Sequence, residues 1–94
     1  MTRILYVSHD IALPRGGIGV LYEHVATLRA NGFDAYIVHG EPGFRYPFGS
    51  IDVPILYASE GLTLAHTDIL VVPEDHMPAI QAFRDVACKK ILFC

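Results

Sequence analysis

ILYVSHDIALPRGGIGVLYEHVATLRANGFDAYIVHG, residues 4–40, decides the fold. It opens on Ile4-Leu5-Tyr6-Val7, a short, β-rich apolar run of the kind that suits a strand buried on both faces. A loop from His9 to Gly17 follows, with Pro14, Gly16 and Gly17 in it. From Ile18 the period changes. Ile18, Leu21, Val25 and Leu28 recur at helical spacing, while Glu23, Thr27 and Arg29 fall between them. Gly32, after Asn31, stands where a helix takes the residue just past its C-terminus. Ala35-Tyr36-Ile37-Val38 then reads as a second strand. Strand, helix and strand in under forty residues form a βαβ unit, and such crossovers are parallel and right-handed.

The rest of the chain continues the alternation. Gly40 to Ser50 carries three of the eight glycines, two prolines and the aromatics Phe44, Tyr46 and Phe48, and reads as a long loop. Such loops tend to be functional or mobile. This one stacks on a sugar, packs against another domain, or lids its own. Val53 to Tyr57 is expected as a third strand, at an edge because of Pro54. Gly61 to His66 suggests a short helical turn, and Ile69 to Val72 a strand. Pro78 suits a first helical turn, with Ile80, Phe83 and Ala87 as the packing face. Lys89 to Cys94 is the last strand. The expected fold is therefore a doubly wound, three-layer α/β/α Rossmann-like parallel sheet ordered 3-2-1-4-5. The connection from the third to the fourth strand is short for the crossover it must make.

Composition narrows the function. The 94 residues suffice for one compact domain. Just over half are apolar, which excludes a disordered segment. The net charge is −3, and Arg3, Arg15, Arg29, Arg45, Arg84, Lys89 and Lys90 are scattered, so no basic stripe addresses nucleic acid or anionic lipid. Cys88 and Cys94 sit among apolar neighbours and read as buried thiols in a reducing compartment. They lack the partners of a zinc site. No run has the length of a signal-peptide core or a membrane span, so a cytoplasmic location is expected.

In an open parallel sheet, ligands bind beyond the C-terminal strand ends, where the winding reverses. Here that point lies between His9–Ile18, after the first strand, and Pro73–Met77, after the fourth. Glycines at a strand-to-helix turn let the backbone approach a phosphate, and the helix start behind them offers unpaired N–H groups; equally, they serve a plain tight turn. A dinucleotide fingerprint fails, because Tyr22 stands at the third glycine and the second strand ends in His39 rather than an acid. No Gly-Lys-Ser/Thr follows the glycines, so a P-loop fails too. The acidic cluster of a response-regulator receiver is missing.

With Gly16-Gly17 and the helix residues Val25 to Ala35, residues 4–40 resemble the opening of retaining GT-B glycosyltransferases, the large family that includes sucrose, mannosyl and lipopolysaccharide sugar transferases. TDILVVPE (67–74) and KKILFC (89–94) resemble two later strands of that family. Phe33 stands where the family often has His. The resemblance implies an N-terminal, acceptor-side domain over residues 1–94, with a C-terminal domain outside this sequence holding the nucleotide sugar. It implies transfer from a nucleotide-diphospho sugar to an acceptor hydroxyl, sugar or lipid-linked, with retention. Gly16 and Gly17 would bind the donor diphosphate, and no metal or other cofactor is expected. When Asp68 and Glu74 are aligned to the family's D-x-x-H-x-H-E segment, Pro73 falls at the usual active-site His, leaving His76 and Glu74 as catalytic candidates.

Other cleft residues have two readings. His9 and Asp10 contact acceptor or donor, or cap the loop. Arg15 meets phosphate or an acidic acceptor, or is simply solvated. Asp75 orients an acceptor hydroxyl or caps the next helix. His24, His39 and His66 read as structural. Taken alone, residues 1–94 read as a truncated domain without turnover, its exposed strand edge inviting self-association. The competing reading is a non-catalytic flavodoxin-like or Rossmann-like module that binds a small ligand.

Overall fold

The computed structural model describes residues 2–13, 16–49 and 51–93. Five strands form one all-parallel sheet in the expected order: β1 (Arg3–Val7), β2 (Asp34–His39), β3 (Ile55–Tyr57), β4 (Ile69–Pro73) and β5 (Lys89–Phe93). Helix α1 (Gly16–Ala30) covers one face and the short α2 (Met77–Phe83) the other. This is a small three-layer Rossmann-like α/β fold. No helix among the described residues is long and apolar enough to cross a membrane.

Strand alternation assigns each core residue to a layer. Tyr6, Ala35, Ile37 and Val71 meet Ile18, Leu21, Tyr22 and Val25 of α1. Leu5, Val7, Val38, Leu70 and Val72 face the other way, toward Ala79 of α2. Both faces of the central strands are buried, which explains their continuous apolar runs. Gly32 adopts the left-handed conformation (φ 88°) past α1, as its position predicts.

Several boundaries differ from expectation. Helix α1 begins at Gly16 rather than Ile18, so both glycines lie in its first turn. The third strand is only Ile55–Tyr57. Residues 61–66 are not helical: a single 3₁₀ turn spans Ala58–Glu60, and Gly61 ends it in the left-handed region (φ 82°). The chain then crosses to β4 without regular secondary structure, with Leu62 and Leu64 packing on the α2-side core. Apart from the 3₁₀ turn at Ala58–Glu60, the connection to β4 contains no helix, so residues 61–68 complete the crossing without one. Helix α2 stops at Phe83, leaving Ala87 beyond it. Cys88 is half-buried against the α2-side core, and Cys94 lies outside the described residues. At the β5 edge, Ile91 and Leu92 are exposed.

Two polar anchors close the ends of the sheet. At the entry to β4, the buried Asp68 carboxylate accepts from Arg3 Nε (3.1 Å), Arg3 Nη2 (2.7 Å) and the Ala65 backbone N–H (2.8 Å). The guanidinium beside it holds Asp68 below the usual carboxylate range. At the far end of β2, His39 is fully buried between Asp10 (Nδ1 to Oδ1, 2.9 Å) and the Tyr22 hydroxyl (Nε2 to Oη, 2.8 Å). Tyr22 Oη also accepts from the Tyr46 backbone N–H at 2.9 Å. The single phenol proton therefore points to His39 Nε2, and His39 Nδ1–H donates to Asp10.

Burial pushes the His39 pKa down, against a smaller opposing pull from Asp10. The folded chain therefore takes up this proton at a lower pH than the unfolded chain does. The resulting stability is complete above the unfolded value of 6.5 and is lost as pH falls below it. The melting temperature is expected to drop between pH 7 and pH 5, before Asp68 titrates. A melting curve flat across that range would contradict this account of His39.

Candidate functional site

The C-terminal ends of β1 and β4 and the start of α1 enclose a crevice of about 540 Å³. This volume falls within the usual range for small-ligand pockets. Its wall is formed by His9 after β1, Gly17, Ile18, Val20 and Leu21 of α1, Pro73, Glu74 and Asp75 after β4, and Phe93 of β5. The topology places it there: β1 connects toward β2 and β4 continues toward β5, so the two loops diverge and leave a gap. Of the two segments expected to flank this gap, His9, Gly17 and Ile18 of the first and Pro73, Glu74 and Asp75 of the second line it.

On the α1 side the wall is backbone and aliphatic. The first turn of a helix carries N–H groups without intrahelical acceptors. The first turn of α1 itself carries no acidic side chain. Gly16 and Gly17 are exposed, and a Cβ built on either meets nothing within 4 Å. The chain's own packing thus leaves room for side chains at both positions.

On the β4 side the wall is polar. His9 Nε2 lies 3.2 Å from Asp75 Oδ1. The His9 ring stacks on His76, with centroids 4.1 Å apart and planes 9° from parallel. His76 is pinned in turn, because as the N-cap of α2 its Nδ1 accepts the Ala79 N–H at 3.4 Å. Burial, then the neighbouring His9, pushes His76 below the ordinary imidazole range. The contact with His9 lowers the pKa of the exposed Asp75. Glu74 reaches the same crevice from an exposed position.

The structure thus brings together His9, Gly17, Glu74, Asp75 and His76, with Gly16 next to them. The helix-capping role suggested for Asp75 belongs to His76 instead. Asp10 is turned toward β2, where its carboxylate accepts from the backbone N–H groups of Gly40 and Glu41 as well as His39. A Cβ at Gly40 would stand 3.0 Å from Asp10 Oδ2, so a larger residue there would press on this loop cap. Arg15 lies outside the described residues. Among the histidines read as structural, His39 is fully buried. His24 packs edge-on against Tyr6 and Phe93, and His66 is exposed.

The 40–49 loop folds back on its own domain. Phe44 packs edge-on against His39, Tyr46 is buried beside Tyr22, and Tyr57 Oη donates to the Phe44 carbonyl at 2.8 Å. Phe48 remains exposed. Sequence reasoning missed Val20, Leu21 and Phe93 as crevice walls. Val20 had a signal, being apolar one position off the core stripe of α1. Among the described residues, no group of three or more His, Cys, Asp or Glu is placed to hold a metal ion.

The chain matches no protein-family model, and no curated protein or solved structure proves similar to it.

Proposed function

We propose that this chain is the acceptor-side Rossmann-like domain of a cytoplasmic glycosyltransferase that moves a sugar from a nucleotide-diphospho donor to an acceptor hydroxyl. A second, donor-binding domain closes over the crevice. The observation that supports this reading is the pairing, across one crevice at the switch point, of a helix start at Gly16-Gly17 whose first turn has no acidic side chain with the polar cluster His9, Glu74 and Asp75. The helix start suits a diphosphate, whose negative charge grows as the sugar departs and is stabilised by fixed N–H dipoles. The opposite wall suits a hydroxyl acceptor. Little in the crevice reads a nucleobase, which assigns that task to the second domain.

The glycines give a direct test. Because an added Cβ at Gly16 or Gly17 meets nothing in the chain, Gly16→Val and Gly17→Val are expected to leave the melting temperature within a few degrees. In the full-length protein they should weaken donor binding at least about tenfold, since branched side chains block the backbone N–H groups. Unchanged donor affinity in both variants would remove the diphosphate role.

A further inference from the structure

We infer that the open edge of β5 docks a second copy of this chain, the two β5 strands pairing antiparallel about a two-fold axis at Ile91. β5 ends the sheet, and Lys89 to Leu92 are exposed along it. Its backbone is arranged for pairing. The Glu74 N–H donates to the Phe93 carbonyl at 3.0 Å, so Phe93 turns its backbone groups toward β4. By alternation Ile91 and Lys89 do the same, while Lys90 and Leu92 direct their N–H and C=O groups at the open edge. Among the described residues, no backbone group bonds them there. Strand edges are commonly guarded by lysines that stand off them. Lys90 does not, because its Nζ is folded back to donate to the Val86 and Cys88 carbonyls.

The strand KKILF is complementary to itself. With Ile91 opposite the partner's Ile91, Lys90 exchanges both backbone bonds with the partner's Leu92, and Leu92 with the partner's Lys90. Every edge-facing group of β5 is then paired. The two isoleucines form the non-hydrogen-bonded pair, in which side chains lie closest. Lys89 stands opposite the partner's Phe93, so no lysines face each other. Centring the pair on Lys90 would set like charges together, and centring it on Leu92 would leave Lys90 without a partner in β5. Charge matches across the joint as well. Phe93 lines the crevice and is in register with Pro73, next to Glu74. The partner's Lys89, opposite Phe93, is therefore two strand spacings, roughly 10 Å, from this end of β4. A lysine side chain spans most of that gap toward Glu74 and Asp75, on a chain of net charge −3. Each copy thus brings a cation to the rim of the other's crevice.

Sedimentation of the 94-residue chain over a dilution series is expected to show a monomer–dimer equilibrium. The Lys90 and Leu92 amides should exchange at least about tenfold more slowly in the dimer than in the monomer. The Ile91 amide, bonded to β4 in both, should change little. Leu92→Pro removes an N–H that faces the open edge and spares the β4 ladder. It should weaken the dimer at least about tenfold, because the two-fold axis repeats the lost bond. Ile91→Lys and Ile91→Glu each set like charges face to face and should be monomeric. An equimolar mixture of these two should recover the dimer, since residue 91 of one copy meets residue 91 of the other. A wild-type chain that is monomeric at every concentration would overturn the inference and assign this edge to another occupant. A dimer indifferent to all three substitutions, or a mixture that stays monomeric, would overturn the antiparallel β5 pairing. Ile91 is exposed, so its variants remain decisive if Leu92→Pro is poorly folded.

Discussion

Asp68→Ala is expected to cost about 3–5 kcal/mol of folding stability, the range for removing one partner of a buried ion pair. The carboxylate is 1% exposed and collects three hydrogen bonds, two from Arg3 and one from the Ala65 backbone. Arg3 also donates to the Thr63 carbonyl at 2.9 Å, so the pair ties the start of β1 to the segment that crosses beneath the sheet. Without Asp68, the Ala65 N–H and a partly buried guanidinium lose their acceptor together. For a domain of this size, such a loss corresponds to a fall in melting temperature of about 12 °C or more. Arg3→Met combined with Asp68→Leu should recover much of it, because paired apolar replacements avoid an uncompensated charge. Thermal denaturation of the two variants checks both expectations. A shift of only a few degrees in Asp68→Ala would show that the pair contributes little.

The second large effect is expected at Tyr22, deeper in the fold. Tyr22→Phe removes one oxygen, yet that oxygen is the partner of His39 Nε2 and the acceptor of the Tyr46 N–H. Both bonds are buried, so the lost atom costs the desolvation of two groups, together about 3 kcal/mol. The 40–49 loop should loosen as well, because Tyr46 is its buried anchor. Tyr6→Phe is the control. Among the described residues the Tyr6 hydroxyl reaches only the half-buried His24, at 3.4 Å, and its loss should cost less than about 1 kcal/mol. Denaturant unfolding distinguishes the two variants, and equal stability would contradict the role given to the Asp10–His39–Tyr22 chain.

The backbone architecture was legible where the physics is local. Ile4–Val7, Ala35–Val38 and Ile69–Val72 are apolar on both faces because both faces are covered, and the α1 stripe fixes which side packs on the sheet. Gly32 announced the end of α1 because only a residue without Cβ takes its backbone angle easily. The end of α2 was not legible, since no glycine or proline follows Phe83. The segment from Gly61 had a signal that went unread: the apolar Leu62 and Leu64 stand two positions apart with the polar Thr63 between them, a strand-like spacing rather than a helical one.

Side-chain pairings were the least legible. Arg3 and Asp68 are 65 positions apart and His9 and Asp75 are 66 apart, so no window on the sequence joins them. Only the strand order 3-2-1-4-5 does. The same order brought His9 and Asp75 to the predicted crevice but turned Asp10, one residue later, to the opposite side of the β1 loop.

The central claim is that the crevice at Gly16-Gly17 receives the diphosphate of a nucleotide sugar. The most direct measurement is an NMR titration of the isotope-labelled chain with UDP, GDP and ADP, following every backbone amide. The account predicts that the amides of Gly16 to Gly19 and of Glu74 and Asp75 shift together, saturably, and that Gly17→Val abolishes the shifts. Saturable shifts centred elsewhere on the fold, or none with any of the three nucleotides, would contradict it.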